Sequence, residues 1–145
     1  MEIQTQYRNM YKKSMVEQVR EEFSGRMLTL CLQLLEADRK DGNDQRVDQH
    51  VQELFEAGEG MPGTNEDVFV NLLTHFSRSH IERVSGRYES KYGKTLASAI
   101  KSEFTGYLRD SLVVLATPLV EFYGARFLRS FGTVVHFCSF AVVVV

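Results

Sequence analysis

The sequence repeats itself at an offset of 81 residues without a gap, residues 7–35 against residues 88–116. Tyr7 meets Tyr88, Tyr11 meets Tyr92 and Lys13 meets Lys94. Glu22-Phe23 meets Glu103-Phe104, Gly25 meets Gly106, and Leu34 meets Leu115. Between these identities Met15/Leu96, Val19/Ile100 and Met27/Leu108 keep apolar character. Each copy runs helix, short helix, glycine break, apolar helix. One such unit cannot bury its apolar face alone, so a chain of this kind folds by stacking helical units on one another.

The rest of the chain fits that scheme. Residues 3–13 carry Ile3, Tyr7, Met10 and Tyr11 as a helical stripe. Ser14 with Glu17 is a capping-box pattern that opens a short helix to about Glu22, and Met27–Leu35 predicts a buried apolar helix. The run Asp38–Gln45 is polar with a central glycine and predicts a linker. Helices are then expected near 46–57, from Asn65 to His75, from Ser77 or Ser79 to Tyr92, over 95–103 and over 108–116. Thr64, with Asp67 three residues on, predicts a cap for the second of these. A further helix is expected over 119–130. No alternating strand occurs before the tail, so the fold class is all-α.

Between the 46–57 and 65–75 helices lies Gly58-Glu59-Gly60-Met61-Pro62-Gly63-Thr64, three glycines and a proline in seven residues. Glycine permits positive φ and close backbone approach, so such a loop can turn carbonyls toward one centre. Carbonyl oxygens suit a hard cation such as Ca²⁺, and a carboxylate must complete the charge.

Composition narrows the alternatives. Hydrophobic residues make up 43% and charged residues 25%, as in an ordinary globular domain. A net charge of −2 with no Lys/Arg block argues against nucleic acid as a partner. Cys31 and Cys138 form neither a disulfide framework nor a zinc spacing, which makes the cytoplasm the expected compartment. There is no basic-then-apolar leader at residues 1–6, and no apolar run reaches the ~18–20 residues of a spanning helix. His75 and His80 have no carboxylate or cysteine at ligand spacing, and His50 is isolated. These histidines are expected at the surface or half-buried. Arg78, Arg83, Arg87 and Lys91 predict a solvated basic band that could also meet anionic headgroups. No acid–base or nucleophile constellation points to catalysis.

A Gly-rich loop ending in Gly63-Thr64, followed 40 residues later by Glu103 three before Gly106, resembles the calcium site of the annexins. The stretch Leu54-Phe55-Glu56-Ala57-Gly58-Glu59 leading into that loop is most similar to the third of the four annexin repeats. The resemblance implies an all-α chain of five-helix repeats in a right-handed superhelix, here truncated. Residues 2–37 would be the end of repeat two, 38–45 the linker, 46–116 repeat three, and 117–131 the first helix of repeat four. It also implies Ca²⁺ held by the carbonyls of Gly58, Met61 and Gly63 with Glu103 as bidentate carboxylate. A minor site would use the Thr64 carbonyl and Asp67, whose competing role is the cap. The implied function is calcium-dependent, peripheral binding to anionic phospholipid membranes from the cytoplasm, without catalysis. The alternative is a calcium-independent helical interaction or regulatory module, including a truncated, non-functional fragment.

Four departures from the family pattern carry expectations. Glu22 lacks its own loop and reads as a surface acid. Phe76 stands where members commonly carry an arginine, and Pro62 where some expose a large residue to lipid. The tail over 132–145 matches nothing in the family, is too short to span a bilayer, and is an aggregation hazard. A single complete site also lacks the multivalency of several, which predicts weak membrane binding.

Overall fold

A computed structural model describes residues 2–36 and 38–118. The expected helix over 119–130 and the tail, with Cys138, lie outside them. Among the described residues there are eight helices: α1 (Glu2–Tyr11), α2 (Met15–Glu22), α3 (Gly25–Glu36), α4 (Asp44–Ala57), α5 (Glu66–His75), α6 (Arg78–Tyr92), α7 (Leu96–Glu103) and α8 (Gly106–Ala116). The one β-type pairing there is an isolated bridge between Lys40 and Phe76. The all-α expectation holds.

The internal repeat is visible in the backbone. Ser14 and Thr95 occupy equivalent positions, and each accepts the N–H of the residue three on, Glu17 and Ser98. Ser14 completes the capping box, and its contacts with Glu17 hold that carboxyl below its usual range. Phe23 and Phe104 end their helices in the same extended conformation. Gly25 and Gly106 both take positive φ, +58° and +63°, at the start of the following helix. So the glycine break turns the chain and starts the next helix at once.

One pair departs in residue type but not in geometry. Gly93 closes α6 in the left-handed region at φ 72°, its N–H donating to Glu89 at 2.8 Å. Its counterpart Lys12 has the same conformation at φ 57°, with its N–H on Arg8 at 2.9 Å. A side chain there costs what glycine avoids. Lys12→Gly is expected to raise stability by about 0.5–1 kcal/mol, read as a higher urea midpoint.

α4 packs on α5 and α6, α7 on α8, and α5 and α6 close over α8. Val51, Leu54, Val70, Leu73, Val84, Ile100 and Leu112 fill the space between them and are fully buried. α3 packs across α5, tied by Gln33 to Asn71 at 2.8 Å and by Thr74 to Gln33 at 2.7 Å. α3 is less enclosed than its composition suggests. Leu30, Cys31 and Leu35 are buried, while Met27, Leu28, Leu32 and Leu34 are partly exposed. Burial pushes the Cys31 thiol up to about 11, so it stays protonated and unreactive at neutral pH. The α1 stripe departs further. Ile3, Met10 and Tyr11 are all more than half exposed, and only Tyr7 packs against the core.

The linker is shorter and better anchored than its polarity suggests. Asn43 caps α4 by accepting the Arg46 N–H at 3.0 Å, so residues 44 and 45 belong to the helix. Lys40 N–H donates to His75 at 2.8 Å, and Ser77 N–H to Lys40 at 2.7 Å. Asp41 accepts from Ser77 Oγ at 3.0 Å and pairs with Arg83. These contacts, the Ser77 hydroxyl first, lower the Asp41 carboxyl.

Two of the histidines and two cations of the basic band depart from expectation, while His75 is half-buried and Arg87 and Lys91 are exposed as expected. His50 and His80 are buried, with Nδ1 of His50 2.9 Å from Nε2 of His80. Phe76 stands against both rings, at 4.4 Å from His50 and 4.7 Å from His80. Neither ring is isolated or at the surface. In the band, Arg78 donates to the carbonyls of Val114, Leu115 and Thr117 at the end of α8. Arg83 pairs with Asp41 and Asp44, Arg87 with Asp48, and Lys91 donates to Gln52. The band binds α6 to α4 and α8, with most of its charge already matched.

Candidate metal centre

The loop over 58–64 begins where α4 unwinds. Gly58 and Gly60 N–H groups both donate to Phe55, at 3.3 and 2.8 Å, and the Asn65 N–H donates to Ala57 at 2.7 Å. The two ends of the loop are thereby closed on each other. Gly63 takes φ +87°, a conformation a side chain would strain. Met61 N–H donates to the Gly58 carbonyl at 3.2 Å, using one of its lone pairs. Among the described residues neither the Met61 nor the Gly63 carbonyl accepts a backbone hydrogen bond. Met61 is exposed; Gly58 is buried.

The anchoring of Phe104 brings Glu103 to this loop. Phe104 is buried edge-on against Phe69 of α5, ring centres 5.0 Å apart, which fixes the end of α7 beneath the loop. Gly58 lies on top of the same pair. A Cβ there would stand 3.3 Å from Phe69 Cζ, tight enough that the ring would have to give slightly, and 3.5 Å from Glu103 Cγ, an ordinary contact that places the Glu103 stem beside Gly58. The Glu103 carboxylate accepts the Thr64 hydroxyl hydrogen. Thr64 is not the cap of α5. Asn65 holds that position, and it makes no side-chain hydrogen bond there. Asp67 also takes another role, pairing with Arg26 of α3, which lies near Glu66 at 3.6 Å as well.

Glu59 is a further anchor that the sequence did not single out. Its carboxylate accepts from Tyr88 Oη at 3.1 Å and pairs with Lys94. Burial, with Tyr92 and Glu103 adding to it, pushes the Tyr88 phenol up to about 12, so it remains a donor. Tyr92 stacks on Phe55 at 4.1 Å, and Tyr88 and Tyr92 pack together at 4.9 Å. The loop is gripped by α6 on one side and by Glu103 on the other. Nothing but its spacing from the glycines could have flagged Glu59.

Gly58 and Thr64 thus meet Glu103, Met61 and Gly63 lie in the same loop, and Asp67 is drawn toward α3. Glu22 is exposed and bonded to Gln18 at 2.9 Å. Among the described residues no three His, Cys, Asp or Glu side chains gather as a metal cluster. A centre made of carbonyls and one carboxylate needs no such cluster. The donor set is all oxygen, which fits a hard cation and not a soft one.

Comparison with known proteins points the same way. The sequence pattern of the annexin family matches residues 49–115. The chain is 32% identical over 121 residues to annexin A7 of Dictyostelium discoideum, covering 81% of this chain and 26% of that protein. It is 32% identical over 112 residues to annexin A4 of Mus musculus, covering 75% and 35%. Human annexin A13 matches at 28% over 134 residues, covering 88% and 42%. The chain thus spans about a quarter to two-fifths of these relatives' lengths. Among solved structures, annexin III superposes with a TM-score of 0.78 at 26% identity, covering 91% of this chain and 43% of that one. Chicken annexin V, in complex with Zn²⁺, gives 0.74 at 32%, covering 88% and 42%. Repeat, helix order, loop and relatives agree: the chain belongs to the annexin family.

Proposed function

We propose that this chain binds anionic phospholipid membranes in a calcium-dependent manner, through the 58–64 loop and Glu103, and performs no catalysis. Annexins bind phospholipid in this way as a family. The observation that carries the reading to these residues is the meeting of Glu103 with Thr64 and Gly58, residues some forty positions apart in the chain. In this reading Gly58, Met61 and Gly63 present their carbonyls and Glu103 presents both carboxylate oxygens. Bound Ca²⁺ supplies the positive charge that joins these oxygens to a lipid phosphate at its open positions.

One carboxylate makes the site weak without lipid, so metal and membrane reinforce each other. The minor site of the Thr64 carbonyl and Asp67 is disfavoured by Arg26, which must release the Asp67 carboxylate first. No helix among the described residues is long and apolar enough to cross a membrane, and the proposed contact is peripheral, on the cytoplasmic side. Sedimentation with phosphatidylserine-containing vesicles tests the reading. The chain is expected in the pellet at millimolar calcium and in the supernatant with chelator. Equal binding in both conditions would favour a calcium-independent interaction module instead, and no binding in either contradicts the proposal.

A further inference from the structure

Thr64 is the residue whose place in the structure differs most from its sequence signal. Its position and the Asp67 three residues on are those of a cap, yet α5 starts after Asn65 and the hydroxyl turns to Glu103. Both side chains are half-buried, so water competes poorly for the contact. An ionised carboxylate offers about four lone-pair sites over its two oxygens. The hydroxyl occupies one, leaving both oxygens able to face a cation. On the other side Glu103 Cγ packs beside Gly58, and the neighbouring Phe104 is locked against Phe69. The side chain is restrained by packing at its stem and by one hydrogen bond at its head.

We propose that the Thr64 hydroxyl is the positioning residue of the metal centre: it docks the Glu103 carboxylate at the loop before any cation arrives and stays bonded to one oxygen afterwards. This rests on the calcium site proposed above and adds to it a role the Thr64 carbonyl does not have. Partners that hold a ligand from outside typically contribute about 10–100-fold to metal affinity. Without the hydroxyl, the flexible Glu103 side chain must be ordered at the moment of binding, which weakens it.

The test compares wild type, Thr64→Val and Thr64→Ser. Valine keeps the branched shape without the hydroxyl, and serine restores the donor. Calorimetric titration with calcium in the presence of phosphatidylserine vesicles is expected to show about tenfold weaker binding for valine and recovery to within about twofold for serine. Amide exchange over residues 58–65 without calcium is expected to speed up for valine and not for serine. A valine variant that binds as tightly as wild type, or more tightly, overturns the proposal, the latter because the hydroxyl would then be a competitor. Should wild type bind no calcium, the proposed function fails and with it the metal role of Thr64. The metal-free exchange then decides separately whether the hydroxyl holds Glu103, and equal exchange in all three chains would overturn that as well.

Discussion

Acidification from pH 7 to pH 4 is expected to remove about 3 kcal/mol of stability through His50. Its ring is pushed down from 6.5 to about 4, by burial first and then by the nearby His80 and Arg46. His80 is lowered too, mainly by burial, with Arg83 and Arg46 adding to it and the Gly42 backbone and Asp41 working against it. In the neutral pair one facing nitrogen carries the hydrogen and the other accepts it. Protonating the accepting ring turns both into donors. Protonating the other leaves an imidazolium buried against Phe76, with the Arg46 guanidinium 5.7 Å over that same ring.

The sign is set by which state binds protons. Below pH 6.5 the unfolded chain takes up a proton that the folded His50 refuses until about pH 4. Stability therefore falls as pH drops through that window and is independent of this group above and below it. Urea midpoints at pH 7, 5.5 and 4 measure the loss. His50→Leu removes the titrating group at a pH-independent cost, leaving His80 Nε2 without its partner. Its midpoint is expected to change less over the same window; an unchanged slope would show that the pair is not the cause.

The Glu103→Gln variant is expected to lose the calcium-dependent part of vesicle binding, with calcium affinity at least about 100-fold weaker. The amide is nearly isosteric, and its carbonyl oxygen can still accept the Thr64 hydroxyl, so the packing of Phe104 on Phe69 is retained. What disappears is the full negative charge and one of two equivalent metal-facing oxygens. The carbonyl dipoles of Gly58, Met61 and Gly63 do not replace a charge. An unchanged melting temperature alongside the lost binding separates this effect from unfolding. If binding is unchanged, Glu103 is not the carboxylate of the site.

The features readable in the sequence are those decided locally or by the repeat. Ser14, Ser77 and Thr95 cap their helices as their neighbours dictate, because a cap bond reaches only two or three residues along the chain. Gly93 closes α6 for the same reason. Glu103 was legible through the family resemblance, which sets an acidic residue 40 positions after Gly63 and three before Gly106. The misreadings concern side chains whose partners come from far along the chain. His50 and His80 sit on different helices 30 residues apart, and nothing in either neighbourhood announces the other. Arg78 and Arg83 of α6 looked solvated because their partners on α8, α4 and the linker lie some 36–42 residues away. Thr64 carried a sound local cap pattern, but α5 starts one residue later, after Asn65, and the Thr64 hydroxyl donates to a half-buried carboxylate 39 residues on that no local pattern announces.

In the proposed function the 58–64 loop and Glu103 form one calcium site that works together with lipid. Calorimetric titration of the wild-type chain with calcium, with and without phosphatidylserine vesicles, tests it most directly. One calcium per chain is expected with vesicles present, with binding at least about tenfold weaker without them and loss of the vesicle-dependent signal in Glu103→Gln. Calcium binding that is indifferent to the vesicles, or that survives the Glu103 substitution, would contradict it.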